Sequence, residues 1–227
     1  NYFSTSSFEN VLHAVKSLDK DMIRYQKHLI NLGLFVANTN ENDLNNTITR
    51  RNYSNLQEYN IVEFPHELLN HEVIEYDEES SFFYLANFDD RDLIIDVINS
   101  GLYMGGGIVH YLYTYAFIKK DVKIKAFSKR LINGLYKQYR SVNKGDFKNY
   151  FSVYEGCGGF IYLSYNYSKL FSDEGIRNKF YYVLNDVLNY YNENEFDKDL
   201  DKDFINGFGS TVLLLSRLYL ETGIKVS

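Results

Sequence analysis

The sequence predicts an all-α fold made of repeated helix pairs, with a small β-hairpin before them. A glycine-rich turn followed by an apolar, tyrosine-rich helix occurs three times, at residues 104–107, 156–159 and 207–210. The last residues of these turns are separated by 52 and then 51 positions. Polar, amphipathic segments lie between the apolar helices. A constant period of this size indicates stacked units, because one helix pair cannot bury its own apolar face.

The apolar helices are predicted at residues 107–120, 159–171 and 210–223. Apolar side chains occupy nearly every side of each helix, so other elements should surround them. Amphipathic helices are predicted at Val122–Tyr139 and Ile176–Tyr191, with Lys, Arg, Asn and Asp on their outer side. An inner helix followed by an outer helix, repeated in this way, is typical of a partial α/α toroid.

The residues before the first turn are less regular. Apolar spacing predicts a helix at Leu18–Asn38, and the Asn-rich composition of Thr39–Tyr59 predicts a linker. Pro65 is expected at the start of a short helix, His66–Val73, where its missing N–H costs little. Ser81–Val97 contains two β-prone runs around a charged tetrapeptide and is predicted to form the β-hairpin.

Composition excludes several classes of partner. The chain has 227 residues, 45% of them hydrophobic, and a net charge of −6 without a basic stripe, which argues against nucleic acid. No apolar run approaches the ~20 residues that span a bilayer, and no signal peptide is recognisable. A single cysteine, Cys157, fits a reducing compartment, so we expect a cytoplasmic protein. Because the chain begins at Asn1 and stops soon after the third inner helix, we expect a fragment.

Three segments carry a resemblance to a known family: GLYMGGGIVHYLYTYA, SVYEGCGGFIYLSYNYSKLF and DFINGFGSTVLLLSRLYLETG. They resemble successive glycine turns of the LanC-like cyclases, and more closely the cyclase part of class II lanthipeptide synthetases of the LanM type. The predicted hairpin resembles the strand pair that leads into the first turn. On this resemblance, residues 1–78 correspond to a helical and linker region at the end of the dehydratase part. Residues 79–227 correspond to the first three cyclase repeats.

The resemblance implies a lanthionine synthetase as the full-length parent. Such an enzyme dehydrates Ser and Thr of a ribosomal precursor peptide and adds Cys thiols to the products, forming thioether rings. The cyclase uses zinc held by two Cys and one His of later repeats, none of which would be in this chain. The fragment alone is therefore expected to be inactive. The parent's dehydratase part would use ATP, and the implied partners are the precursor peptide and an exporter complex.

Asp203 is the one catalytic residue that the resemblance transfers to this chain, as an acid/base or orienting group beside the zinc. It would lie at the mouth of the toroid, near a helix N-terminus that favours the charged carboxylate. It also ends an acidic run, so a solvated N-cap is the alternative. The chain departs from the family pattern at Tyr103 and Met104, where Asp-Gly is usual, and at Ser210, which replaces the last glycine. Met104 puts the turn geometry in question, since it lacks the backbone freedom of glycine.

Other motifs favour structural roles. Cys157 and His110 are expected to be packing residues rather than a reactive thiol and a ligand. His66 and His71 are five residues apart and so cannot easily share a metal on a helix. The acidic run that begins at Asp197 lacks the Gly and Glu of a calcium loop, and the glycine turns lack the third Gly of GxGxxG.

Two other functions remain open on the sequence. One is a helical-repeat module that binds peptides without catalysis. The other is a different α/α-toroid enzyme, such as a carbohydrate-active one, for which Asp203 and Glu155 are the only carboxylates beside the turns.

Overall fold

The computed structural model describes residues 64–69, 73–76, 79–81, 83–88, 92–141, 151–193, 203–205, 207 and 209–223. The helix predicted at Leu18–Asn38 and the linker at Thr39–Tyr59 lie outside these ranges. The described part is mostly helical. Its elements are α1 Phe64–Leu69, β1 Val73–Tyr76, β2 Glu79–Ser81, β3 Phe83–Phe88, β4 Asp92–Val97, α2 Gly106–Lys119, α3 Val122–Ser141, α4 Gly158–Phe171, α5 Glu174–Glu193 and α6 Gly209–Thr222.

The three apolar helices and the two amphipathic ones are confirmed, with ends within two residues of the predicted positions. Helix α2 packs against α3 and α4 against α5, while α4 also lies between α2 and α6. The apolar helices therefore lie side by side, and α3 and α5 cover two of them. No helix in the described ranges is both long and apolar enough to cross a bilayer.

The predicted hairpin is confirmed as β3 and β4, which pair antiparallel from Phe83 opposite Val97 to Phe88 opposite Asp92. A second antiparallel pair, β1 with β2, was not predicted. For the short helix predicted at His66–Val73, the predicted C-terminal end is wrong, because α1 ends at Leu69 and Val73 begins β1. Val73 and Ile74 are β-branched and so favour the strand conformation.

The same reversal joins each inner helix to the outer helix that follows. Lys120 and Ser172 adopt left-handed backbone conformations, with φ of 54° and 52°, directly after α2 and α4. Each is followed by an aspartate that caps the next helix. The Asp121 carboxylate accepts from the N–H of Ile124 at 3.0 Å, and Asp173 accepts from Ile176 at 3.0 Å. These caps satisfy N–H groups that a helix N-terminus otherwise leaves unpaired.

The core lies between the two layers of helices and is strongly aromatic. Its largest fully buried side chains include Tyr113, Tyr167, Phe127, Phe160 and Phe180. Tyr113 of α2 meets Tyr167 of α4 edge to face, with ring centroids 5.8 Å apart. Edge-to-face packing brings the positive ring edge to the negative ring face, so these rings fix the lateral contact between inner helices.

Candidate functional site

The glycine turns form one continuous rim at the N-terminal ends of the inner helices. We define the rim as residues 99–107, 151–159, 203–205, 207 and 209–211. The first two turns are joined through their backbones. The N–H of Leu102 donates to the Val153 carbonyl at 3.1 Å, and that of Tyr103 donates to the Tyr154 carbonyl at 2.9 Å. Main-chain bonds therefore hold the first two turns of the rim together.

Side-chain hydroxyls join the second turn to the third. The Ser210 hydroxyl accepts from the N–H of Val153 at 3.0 Å. Ser152 donates to the carbonyl of Ile205, and Thr211 donates to that of Phe151. The departure from glycine at Ser210 thus has a structural reason, because its hydroxyl pairs a backbone N–H that is buried in the rim.

Met104 does not disturb the first turn. The left-handed residue of that turn is Gly105, with φ of 111°, and Met104 is not among the residues with positive φ in the described ranges. In the second turn, a glycine is needed at position 159 because there is no room for a Cβ atom. A Cβ atom at this position would overlap the Ser100 carbonyl oxygen and lie 2.8 Å from the Val153 carbonyl oxygen. The turns thus approach more closely than a side chain would permit.

Asp203 lies on the exposed rim, before α6 rather than in its first turn. Helix α6 begins at Gly209, six residues later, so Asp203 lies in the turn that leads into that helix. The Asp203 carboxylate accepts from the N–H of Ile205 at 3.1 Å, and its carbonyl accepts from Gly209 at 3.3 Å. These bonds orient the carboxylate within the turn and leave its residue accessible to solvent.

An aromatic ladder crosses the rim beside Asp203. We use this name for Tyr103, Tyr154 and Phe204, one from each turn. Ring centroids lie 5.0 Å apart between the first two and 5.6 Å apart between the last two. Tyr103 is 64% exposed and Phe204 is 46% exposed. Sequence reasoning missed the ladder, although the intervals of 51 and 50 residues between these aromatics are each only one residue shorter than those between the turns.

Cys157 is fully buried beneath the rim, and burial raises the pKa of its thiol. The thiolate is the reactive form of cysteine, so a raised pKa makes this side chain a poor nucleophile. Its burial agrees with the packing role expected of Cys157, which stays a prediction.

His110 lines a groove of about 450 Å³ along α2. Its ring packs against Tyr113 and Tyr162, with centroids 5.0 Å and 5.3 Å away, and burial lowers the pKa of the imidazole. Other residues that line the groove are Tyr111, Thr114, Tyr115, Ile118 and Lys119. The His110 ring is thus packed against two tyrosines but only partly buried, and its predicted interior role stays a prediction.

A charged cluster joins α4 to α6 at the far end from the rim. The Glu221 carboxylate accepts from Arg217 at 2.7 Å, from Lys169 at 2.9 Å and from the Tyr165 hydroxyl at 2.7 Å. Hydrogen bonds from Arg217, Lys169 and Tyr165 lower the pKa of Glu221 to about 2. The single carboxylate bridges the two cations and so holds α4 and α6 together, while the cluster keeps a net positive charge.

The described residues do not fit a zinc site. Within the described ranges, no three His, Cys, Asp or Glu side chains lie together in a way that could hold a metal ion. His66 is exposed and contacts Asp121 at 3.0 Å, as expected for a surface histidine. His71 and most of the acidic run from Asp197 lie outside the described residues.

No protein-family model matches the chain, and no curated protein matches its sequence.

Proposed function

We propose that this chain is the beginning of the cyclase domain of a class II lanthipeptide synthetase. The observation that carries the proposal is the rim, in which three glycine turns are hydrogen-bonded side by side at intervals of 52 and 51 residues. Each turn opens an inner helix, and the first two inner helices are each followed by an outer helix. The order of these elements supports the resemblance that the sequence shows.

The toroid is part of the same proposal. Val109 in α2 and Ile161 in α4 occupy matching repeat positions and are fully buried, whereas Val212 of α6 is 44% exposed. Gly223 follows α6 with φ of 70°, at the position that Lys120 and Ser172 occupy after α2 and α4. Both observations support a further outer helix that packs on α6, as α3 and α5 pack on their partners. Continued addition of such pairs would close a ring.

In the proposed enzyme, Asp203 acts at the rim as an acid/base or orienting group for a Cys thiol of the precursor peptide. Zinc bound by later repeats would activate that thiol. The exposure of Asp203 and the bond from the Ile205 N–H support this role, because they present a fixed carboxylate to solvent. The proposal includes a cytoplasmic parent with an ATP-using dehydratase part and an exporter complex as a partner.

The test uses the whole reading frame that contains this chain. The purified protein is assayed for bound zinc and incubated with ATP, Mg²⁺ and candidate precursor peptides encoded beside its gene. Dehydration removes one water per Ser or Thr. Cyclisation leaves the mass unchanged but removes a thiol, so it is read as loss of labelling by N-ethylmaleimide. We expect zinc, dehydration and thiol loss in the wild-type protein.

Asp203→Asn is expected to keep dehydration and zinc but to slow thiol loss by about 100-fold, the usual scale for acid/base groups. Glu174→Gln, which changes an exposed carboxylate of α5, is the control and should leave thiol loss unchanged. A protein without zinc and without either reaction would instead support the helical-repeat module that binds peptides. Hydrolysis of a glycan by the same protein would support the third function.

A further inference from the structure

We propose that the aromatic ladder is a binding site for a cationic side chain of a peptide, an Arg or Lys that lies over the rings of Tyr103, Tyr154 and Phe204. This inference rests on the proposed function for the identity of the peptide, but the site itself is argued from its own geometry. The rings touch in sequence across three turns, with centroids 5.0 Å and 5.6 Å apart. Two of the three side chains are about half exposed or more.

Hydrogen bonds hold the backbone of the ladder residues, which favours their use in binding. The N–H of Tyr103 is bonded to the Tyr154 carbonyl at 2.9 Å, and the N–H of Tyr154 is bonded to the Ser152 hydroxyl at 3.0 Å. The turn of Phe204 is held by the bond from Ile205 to Asp203. Rings on a fixed backbone lose little conformational entropy when a ligand binds, so more of the contact energy is retained as affinity.

Charge indicates which ligand the ladder selects. The three turns, residues 99–107, 151–159 and 203–211, contain two acidic residues, Glu155 and Asp203, and no Lys, Arg or His. Both acids are exposed, and each is the chain neighbour of a ladder aromatic. An aromatic face attracts a cation through its quadrupole, and nearby carboxylates strengthen that attraction. An anionic ligand would instead meet the negative faces of the rings.

The site lies beside Asp203, so a bound cation would fix the register of a peptide at this point of the rim. In an enzyme that modifies several positions of one peptide, such a site would select segments in which a basic residue lies near the reacting residue. The overall charge of −6 would also favour the approach of a cationic peptide. The inferred substrate class is therefore an extended peptide with at least one Arg or Lys.

The experiment measures binding of four labelled peptides to the 227-residue chain by fluorescence anisotropy. The peptides are identical except at two positions, which are both Arg, both Lys, both Leu or both Glu. The Arg peptide should bind best and the Glu peptide worst. Tyr103→Ala and Phe204→Ala should each lower the affinity for the Arg peptide by about 2- to 5-fold, the range for one exposed cation–π contact. Phe204→Leu should lower this affinity nearly as much, because it keeps an apolar side chain but removes the ring.

Phe117→Ala and Tyr181→Ala are matched controls, because both change an exposed aromatic outside the rim. They should leave binding unchanged, which separates the ladder from the general attraction of an acidic protein. Thermal melts of every variant establish that it is folded. Equal binding of the Leu and Arg peptides would overturn the inference in favour of apolar docking, and unchanged binding by Tyr103→Ala or Phe204→Ala would overturn it outright.

The result is distinguishable from the test of the proposed function. The peptides contain no Ser, Thr or Cys and the measurement needs no zinc or ATP. Selective Arg binding with no cyclase activity in the whole protein would retain the ladder and reject the enzyme. Cyclase activity without Arg selectivity would support the enzyme and reject the ladder as a binding site for cations.

Discussion

The Ser210 hydroxyl lies 3.0 Å from the backbone nitrogen of Val153 and accepts its hydrogen bond. This contact links the third repeat to the second at a point where Ser210 is only 3% exposed. A glycine at this position could not supply that acceptor. Ser210 therefore stabilises the stack of turns.

Ser210→Ala should lower the free energy of unfolding by about 1–2 kcal/mol, because it leaves the buried N–H of Val153 without its acceptor. Urea unfolding followed by circular dichroism measures the change. Ser216→Ala, on the exposed side of the same helix, is the control and should change stability by less than about 0.5 kcal/mol. Equal effects from the two substitutions would contradict the structural role of Ser210.

Gly159→Ala should be strongly destabilising, since the added Cβ would overlap the Ser100 carbonyl oxygen at the junction of two turns. Overpacking against backbone that cannot move costs about 1–3 kcal/mol or more. Gly175→Ala adds the same atom near the start of α5, where it would contact only the Asp173 carboxylate at 3.3 Å. The comparison is made by thermal melts, and we expect a large fall in Tm for the first variant and little change for the second.

Loss of the side-chain hydroxyl should have opposite effects on the free energy of unfolding at Tyr113 and at Tyr139. The Tyr113 hydroxyl is buried and has no hydrogen-bond partner in the described ranges, whereas that of Tyr139 lies 3.1 Å from the Asp186 carboxylate. Tyr113→Phe removes an unsatisfied group and should be neutral or stabilise by about 1 kcal/mol. Tyr139→Phe should destabilise by about 1 kcal/mol. Chemical denaturation of both variants tests the pair, and the opposite order of stability would refute the assignment.

The Glu221 cluster should give a pH-dependent contribution to stability. Hydrogen bonds from Arg217, Lys169 and Tyr165 hold the folded pKa near 2, below the ordinary value of Glu at about 4.3. A depressed carboxyl pKa stabilises the fold above the unfolded value, and that contribution is lost as pH falls through the folded one. Glu221→Gln should therefore be less stable than the wild type at pH 7, with a difference that disappears towards pH 2.

The titration of Glu221 can also be followed directly by NMR of its side-chain carbon. Glu174→Gln is the control for stability, because it removes one half of an exposed pair with Arg177. Surface pairs of this kind contribute little, so this variant should show a smaller difference at pH 7. A Glu221 pKa at the ordinary value would mean that the cluster is not formed in solution.

The helices could be predicted from the sequence because their apolar spacing is local and persistent. The reversals between them could not, since Lys120 and Ser172 adopt left-handed conformations that their residue types do not favour. The pair of β1 and β2 was also missed, because strands of four and three residues carry little pattern. The spacing of Tyr103, Tyr154 and Phe204 hints at the ladder, but their contact depends on which turn lies beside which, and the sequence does not show that.

The bonds that join the turns also set an order of events during synthesis. The contacts of Val153 with Ser210 and of Ser152 with Ile205 connect residues 57 and 53 positions apart. At about 5–20 residues per second, a ribosome needs about 3–10 s to add that length of chain. During this interval the second turn has polar groups whose partners have not been made. We therefore expect each repeat to reach its final packing only after the next one has left the ribosome, and nascent chains arrested within the third repeat to be sensitive to protease.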